Sequence, residues 1–273
     1  MKLICIGDNV CDCYHYKNTY YPGGNCVNVA VNAKRSGAEK CSYIGILGTD
    51  DKAQHVKFAM DQEGIEWSRS RTMEGLTGQP GVYLDESGDR IFRRFEGDTV
   101  QTLAKLHMTR HDLAYVKDYD LCHTSCYSWM EEELPVLCQV IEVSYDFSDH
   151  YTLEQIDRVA PYICYAFLSA SDRTQEEIAA LIKAFGKYPN VKVLGMTRGK
   201  EGALFVSEGK EYRQAPAPAQ VVDTMGAGDS FIAAFLVSHK NGLSMEESLS
   251  RGALSAAKTC ELEGGFGYPH DII

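Results

Sequence analysis

Residues 221–231 read Val-Val-Asp-Thr-Met-Gly-Ala-Gly-Asp-Ser-Phe, a run whose residue types suit phosphate chemistry. Val221 and Val222 suggest the end of a strand. Asp223 and Thr224 then turn the chain into Gly226-Ala227-Gly228, and the carboxylate of Asp229 follows. The apolar run from Phe231 to Val237 is long enough for a helix buried on most faces. A helix opening at the glycines presents unpaired N–H groups and a positive dipole end. Glycine lets an anion approach that backbone closely. An acid beside an anion site raises the electrostatic cost, so Asp229 needs a task. Taking a proton from an attacking hydroxyl is that task.

Rival phosphate motifs fail. Gly226-x-Gly228 is not completed as a dinucleotide fingerprint, because Phe231 stands where the third glycine belongs. Gly199-Lys200 is followed by Glu201, and Leu194 holds the first glycine's place, so no P-loop exists there. Near the N-terminus, Gly7-Asp8-Asn9-Val10-Cys11-Asp12 follows a short apolar run, and Gly23-Gly24-Asn25-Cys26-Val27-Asn28 opens a helical pattern. Thr197-Arg198-Gly199-Lys200-Glu201-Gly202 follows another strand-like run and reads equally as a strand-to-strand turn.

The elements that must position these residues alternate. Strands are expected at Leu3–Ile6, Cys41–Ile46, Leu121–Thr124, Val143–Phe147, Tyr165–Ser169 and Val191–Met196. Helices are expected at Asn25–Lys34, Asp51–Glu63, near Glu131–Val140, at Thr174–Lys187, Ala227–Asn241 and Met245–Leu262. Such alternation means a parallel sheet with helices on both faces, and ligands beyond its C-terminal strand ends. Asp8, Asp12 and Asp229 all follow strand-like runs. Residues 77–95 break the pattern and read as a hairpin turning at Glu86–Asp89.

At 273 residues the chain suits one large α/β domain, with no linker or repeat dividing it. A net charge of −11 argues against nucleic-acid and anionic-membrane partners. The first apolar stretch, broken by Gly7 and Asp8, is too short for a signal or a membrane span, so a cytoplasmic protein is expected. The ten cysteines lack zinc-site spacing, and Cys5, Cys41 and Cys164 read as reduced core thiols.

Residues 223–229 match Asp-Thr-x-Gly-Ala-Gly-Asp at every fixed position, and Gly23-Gly24 with its following Asn supplies a second signature. By these the chain resembles the ribokinase-like (PfkB) carbohydrate kinases. The resemblance implies an α/β fold, a ribokinase-like three-layer sandwich with a mostly parallel central sheet and a small β-sheet lid. It implies one kinase domain over residues 1–273, with lid strands near 13–21 and 77–95. ATP and Mg2+ are the implied cofactors, with a sugar as acceptor. Asp229 would be the base, and the N–H groups of Gly226, Ala227 and Gly228 would stabilise the transferring phosphoryl. Asp12, Gly23, Gly24, Asn28 and Asp8 would lie at the sugar, and Thr197, Gly199, Gly202 and Asp223 at the nucleotide. A monovalent cation such as K+ near Asp223 and a homodimer through the lid are left open. One departure concerns the metal: the family's Asn-x-x-Glu is absent from Ser169–Glu176, where only Asp172 or Glu176 could substitute, so the metal ligands are unassigned.

The likeness is strongest to the branch that phosphorylates the 6-hydroxyl of fructosyl-amino acids such as fructoselysine. It is carried by residues 7–12, 23–31, 146–149, 213–218 and 223–233. Asp85, Arg90, Arg93 or Arg94 of the lid could meet the amino-acid part. A fructokinase or ribokinase is the nearer alternative, and a catalytically silent sugar- or nucleotide-binding protein the remoter one.

Overall fold

In chain order the strands are β1 (Lys2–Ile6), β2 (Val10–Tyr14), β3 (Thr19–Gly23), β4 (Lys40–Ile44), β5 (Ile46–Leu47), β6 (Arg71–Thr72), β7 (Gly81–Leu84), β8 (Arg90–Arg93), β9 (Leu121–Ser125), β10 (Val143–Asp146), β11 (Tyr165–Ser169), β12 (Val193–Thr197), β13 (Ala203–Ser207), β14 (Lys210–Gln214) and β15 (His270–Asp271). The α-helices are α1 (Asn25–Arg35), α2 (Asp51–Gln62), α3 (Val100–Leu103), α4 (Arg110–Val116), α5 (Leu134–Leu137), α6 (Leu153–Val159), α7 (Gln175–Phe185), α8 (Ala227–Lys240) and α9 (Met245–Cys260). This computed structural model describes residues 1–84, 86 and 90–272.

The central sheet runs β14-β13-β12-β11-β10-β9-β1-β4. Strands β12 through β4 are parallel, and β13 and β14 add an antiparallel edge. Successive side chains on a strand point to opposite faces, and the sequence obeys this. Leu3 and Cys5 join one buried cluster with residues of α1, α8 and α9, while Ile4 and Ile6 join another with residues of α6 and α7. On β11, Tyr165 and Phe167 face the first cluster, and Ala166 and Leu168 the second. Near-continuous apolar strands are what a sheet covered on both faces requires. The result is three layers, helix on sheet on helix, as the resemblance implied.

A separate five-stranded sheet runs β15-β3-β2-β7-β8, antiparallel except for the parallel β2–β7 pair. Its own small core is Tyr14, Tyr21 and Val82, with Met225 packed against it. The hairpin turn expected at Glu86–Asp89 falls largely on residues 87–89, outside the described residues, as do Asp85 and the side chain of Arg90.

Several expected elements differ. Val221 and Val222 form no strand; both are exposed, and the amides of Val222 and Asp223 instead donate to the Cys260 carbonyl. The helix near Glu131–Val140 shrinks to α5, which carries Pro135 in its first turn and is flanked by hydrogen-bonded turns. The strand expected over Cys41–Ile46 breaks at Gly45, so that β5 pairs with β6 in a separate two-stranded sheet. Asp12 does not sit in a loop after a strand but on β2, and Asp229 lies inside the first turn of α8. Only Asp8 directly follows a central strand.

Candidate active site

Helix α1 starts where the small sheet hands the chain back to the central layers. Gly23 ends β3 and Gly24 is the helix N-cap. Asp8, just beyond β1, supplies the cap in space: its carboxylate accepts the Asn25 amide at 2.7 Å and the hydroxyls of Ser125 (3.1 Å) and Ser128 (3.0 Å). A negative charge there complements the helix dipole. Asp8 is therefore the group that aims α1, with its oxygens already engaged by protein donors.

Two asparagines one turn apart on α1 then grip Asp229. Asn25 Nδ2 donates to Asp229 Oδ1 at 2.8 Å, and Asn28 Nδ2 donates to Asp229 Oδ2 at 2.7 Å. Asn25 Nδ2 also donates to Asp146 Oδ2 at 2.8 Å, at the end of β10. Burial, followed by the charge of Asp146, pushes the Asp229 carboxyl up to about 8, with the amide of Asn28 working the other way. Burial likewise raises Asp146 to about 6, against the opposing effect of the Ser148 amide. Asp12 is buried on β2 with an oxygen pressed against Gly23, and burial beside Asp223 and Asp8 lifts it to about 7. Asp12 makes no hydrogen bond to a side chain among the described residues, which leaves it available to a ligand. The same holds for the buried Oδ1 of Asn28, an unpartnered acceptor.

The N-terminus of α8 faces these carboxylates. Gly226 is its N-cap at φ +70°, where a Cβ would lie 2.6 Å from the Gly265 Cα, so glycine is required there. A Cβ on Gly228 would meet open space. The Ala227 amide is not a free donor, since it closes onto the Thr224 carbonyl at 3.2 Å. Among the described residues the amides of Gly226 and Gly228 have no protein acceptor, and they are the ones that suit an anion. Asp223 is spent on shaping the turn: Oδ2 accepts Tyr14 Oη (2.6 Å) and the Gly264 amide (3.0 Å), and Oδ1 accepts the Met225 amide (3.0 Å). It thereby ties the glycine turn to the small sheet.

Thr197 ends β12 on the same sheet edge as Ser169, Asp146 and Ser125. The loop after it closes through Arg198 N–H to the Gly202 carbonyl (2.8 Å) and Gly202 N–H to the Gly199 carbonyl (3.0 Å). Gly202, at φ +85°, has no room for a Cβ beside the Gln214 carbonyl. The guanidinium of Arg198 is buried and pairs with Glu201 at 2.6 Å, whereas Lys200 is exposed. No hydrogen bond among the described residues joins this loop to Asp229; only the shared edge does. Asp172 and Glu176 are exposed, and among the described residues no His, Cys, Asp and Glu cluster forms a metal cage.

The structure thus joins Asn28 and Asp229 directly and Asp8 to them through Asn25, with Asp12, Gly23 and Gly24 alongside. It also brings in three groups the sequence reading did not assign: Asn25, Asp146 and His123. Asn25 sits inside a signature already noticed, and Asp146 lies one residue before the end of an expected strand, close enough for the strand-end rule to have pointed to it. Nothing local marks His123. Chemically, the arrangement offers a basic carboxylate held by two amides beside a helix terminus with free N–H donors. Such a combination has the chemistry to accept a hydroxyl proton and to stabilise an incoming anion.

Comparison with known proteins follows the same line. The family model described as pfkB family carbohydrate kinase matches residues 2–267. Fructosamine kinase FrlD of Bacillus subtilis is 43% identical over 268 residues, covering 98% of this chain and 94% of its own. Fructoselysine 6-kinase of Escherichia coli is 32% identical over 265 residues, covering 97% and 99%. Among solved structures, Arabidopsis thaliana ribokinase complexed with ribose and ATP superposes with a TM-score of 0.82 at 21% identity, over 96% of this chain and 93% of that one.

Proposed function

Since the chain belongs to the pfkB family of carbohydrate kinases and is an ATP-dependent carbohydrate kinase, we propose that its acceptor is a fructosyl-amino acid, phosphorylated at the 6-hydroxyl, with fructoselysine as the type substrate. The reaction rests on one observation above the others: Asp229, fixed by Asn25 and Asn28 at the open N-terminus of α8. There Asp229 takes the proton of the primary hydroxyl as that oxygen attacks the γ-phosphorus of ATP. The amides of Gly226 and Gly228 stabilise charge on the transferring group. Asp12 and Asn28 hold sugar hydroxyls, and Thr197, Gly199 and Gly202 lie along the nucleotide.

The free amides and the open space at Gly228 fit a phosphoryl group. Mg2+ bound with the nucleotide would supply charge neutralisation. Among the described residues no group of three His, Cys, Asp or Glu side chains could hold the ion by itself, so the nucleotide's phosphates would have to share in holding it. The small sheet acts as a lid that excludes water from this step.

The substrate class is supported by the names of the two relatives, fructosamine kinase FrlD and fructoselysine 6-kinase, each matching this chain over nearly its whole length. Product analysis tests this reading. Incubation with fructoselysine and Mg-ATP should yield a product with 13C–31P coupling at C6; phosphate on another carbon, or no product, would overturn it.

A further inference from the structure

The amide of Asn25 has no freedom left. Both hydrogens of its Nδ2 are spent, one on Asp146 and one on Asp229, each at 2.8 Å. Carboxylate oxygens that accept these bonds require the nitrogen end of the amide to face them. The Oδ1 end must then accept, and what stands 3.0 Å from it is Nε2 of His123. His123 therefore carries its proton on Nε2, which leaves Nδ1 as the lone-pair nitrogen, 3.0 Å from the hydroxyl of Ser144. The ring is buried within β9, and burial pushes it down to about 3, so it stays neutral in a single tautomer.

We propose that Ser144, His123 and Asn25 form a positioning relay that locks one orientation of the Asn25 amide and so holds Asp229 for proton acceptance. This rests on the reading of Asp229 as the base; Asn25 and His123 are positioning residues, not catalytic ones. The charged and titratable groups facing Asp229 are Asp146 from β10, Asp8 from the loop after β1 and, through Asn25, the neutral His123 from β9. With the relay broken, the amide can turn its oxygen toward Asp146 and Asp229. Two hydrogen bonds to charged acceptors are then lost and a repulsive dipole takes their place, which disfavours the ionised base.

The test is a 13C carboxyl titration of the protein without sugar or nucleotide, with Asp229 assigned through Asp229→Asn. His123→Leu removes the donor; His123→Gln returns an amide N–H near the Nε2 position. The relay predicts that His123→Leu raises the Asp229 midpoint by about 1 pH unit or more, whereas His123→Gln stays close to wild type. An unchanged midpoint in a folded His123→Leu protein overturns the proposal. Where the leucine variant does not fold, 15N shifts of His123 in the wild-type protein decide. A neutral Nε2–H tautomer supports the relay, and an Nδ1–H tautomer or a charged ring at pH 6 overturns it. Neither readout involves a sugar, so a failed substrate assignment leaves this result standing.

Discussion

Asp229 is a carboxylate whose surroundings make it a stronger base than an ordinary aspartate. Its value rises from 3.8 to about 8 because burial and Asp146 disfavour the charge more than two amides favour it. Asp229→Asn should therefore lower kcat by on the order of 100-fold or more, the usual scale for a general base, in steady-state assays; a near-wild-type rate in a folded variant contradicts the role. The pH profile adds a second check. kcat/KM should climb with pH to a plateau above about 8, and that limb should vanish in the Asn variant. Stability follows from the same shift. A raised value means that the folded state holds the proton more tightly, so the contribution of Asp229 is intact below 3.8 and lost as pH rises through about 8. Asp229→Asn should then raise Tm over wild type more at pH 9 than at pH 6, by roughly 5–8 °C, as expected for about 3 kcal/mol lost between pH 6 and a value of about 8. An equal difference at both pH values would show that the charge is not the cause.

At the scale of elements, two helix N-termini meet: α1, aimed by Asp8, and α8, opened by Gly226. Gly226→Ala places a side chain in a left-handed conformation against the Gly265 backbone. It should destabilise by about 1–3 kcal/mol in urea denaturation and lower kcat, because the turn that aims the amides must shift; unchanged stability would mean that the turn is not constrained. Both helices were legible in sequence almost to the residue, since Gly23-Gly24 and Gly226 punctuate strongly apolar runs. The strand at Tyr165–Ser169 was equally plain. The short helices α4 and α6 were missed, as each spans two turns with few apolar positions. The proline-bearing stretch after Met130 read as a longer helix than forms. Asp12 was expected just after a strand, and it lies within one. Its strand belongs to the small sheet, whose pairing with residues 81–84 is set by tertiary contact.

For the molecule as a whole, alternating strands and helices made the three-layer architecture readable. The assembly of the site was only partly so. Asp229, Asn28 and the glycines carry a signature, but Asn25 meets His123 and Asp146 only because β10, β9 and β1 are neighbours and α1 packs on β1 and β9. Contacts spanning about a hundred residues leave no local periodicity to read. Among the described residues the same assembly gathers Asp8, Asp146 and Asp229 around one point, with burial as the largest cause of the rise at Asp229. The most direct test is comparative: ADP release from Mg-ATP with fructoselysine, fructose, ribose and a nucleoside at equal concentration. A kcat/KM for fructoselysine at least about tenfold above the free sugars is expected, the equivalent of one charge-assisted contact. Equal or better turnover of fructose or ribose would contradict the assignment of a fructosyl-amino acid as the substrate.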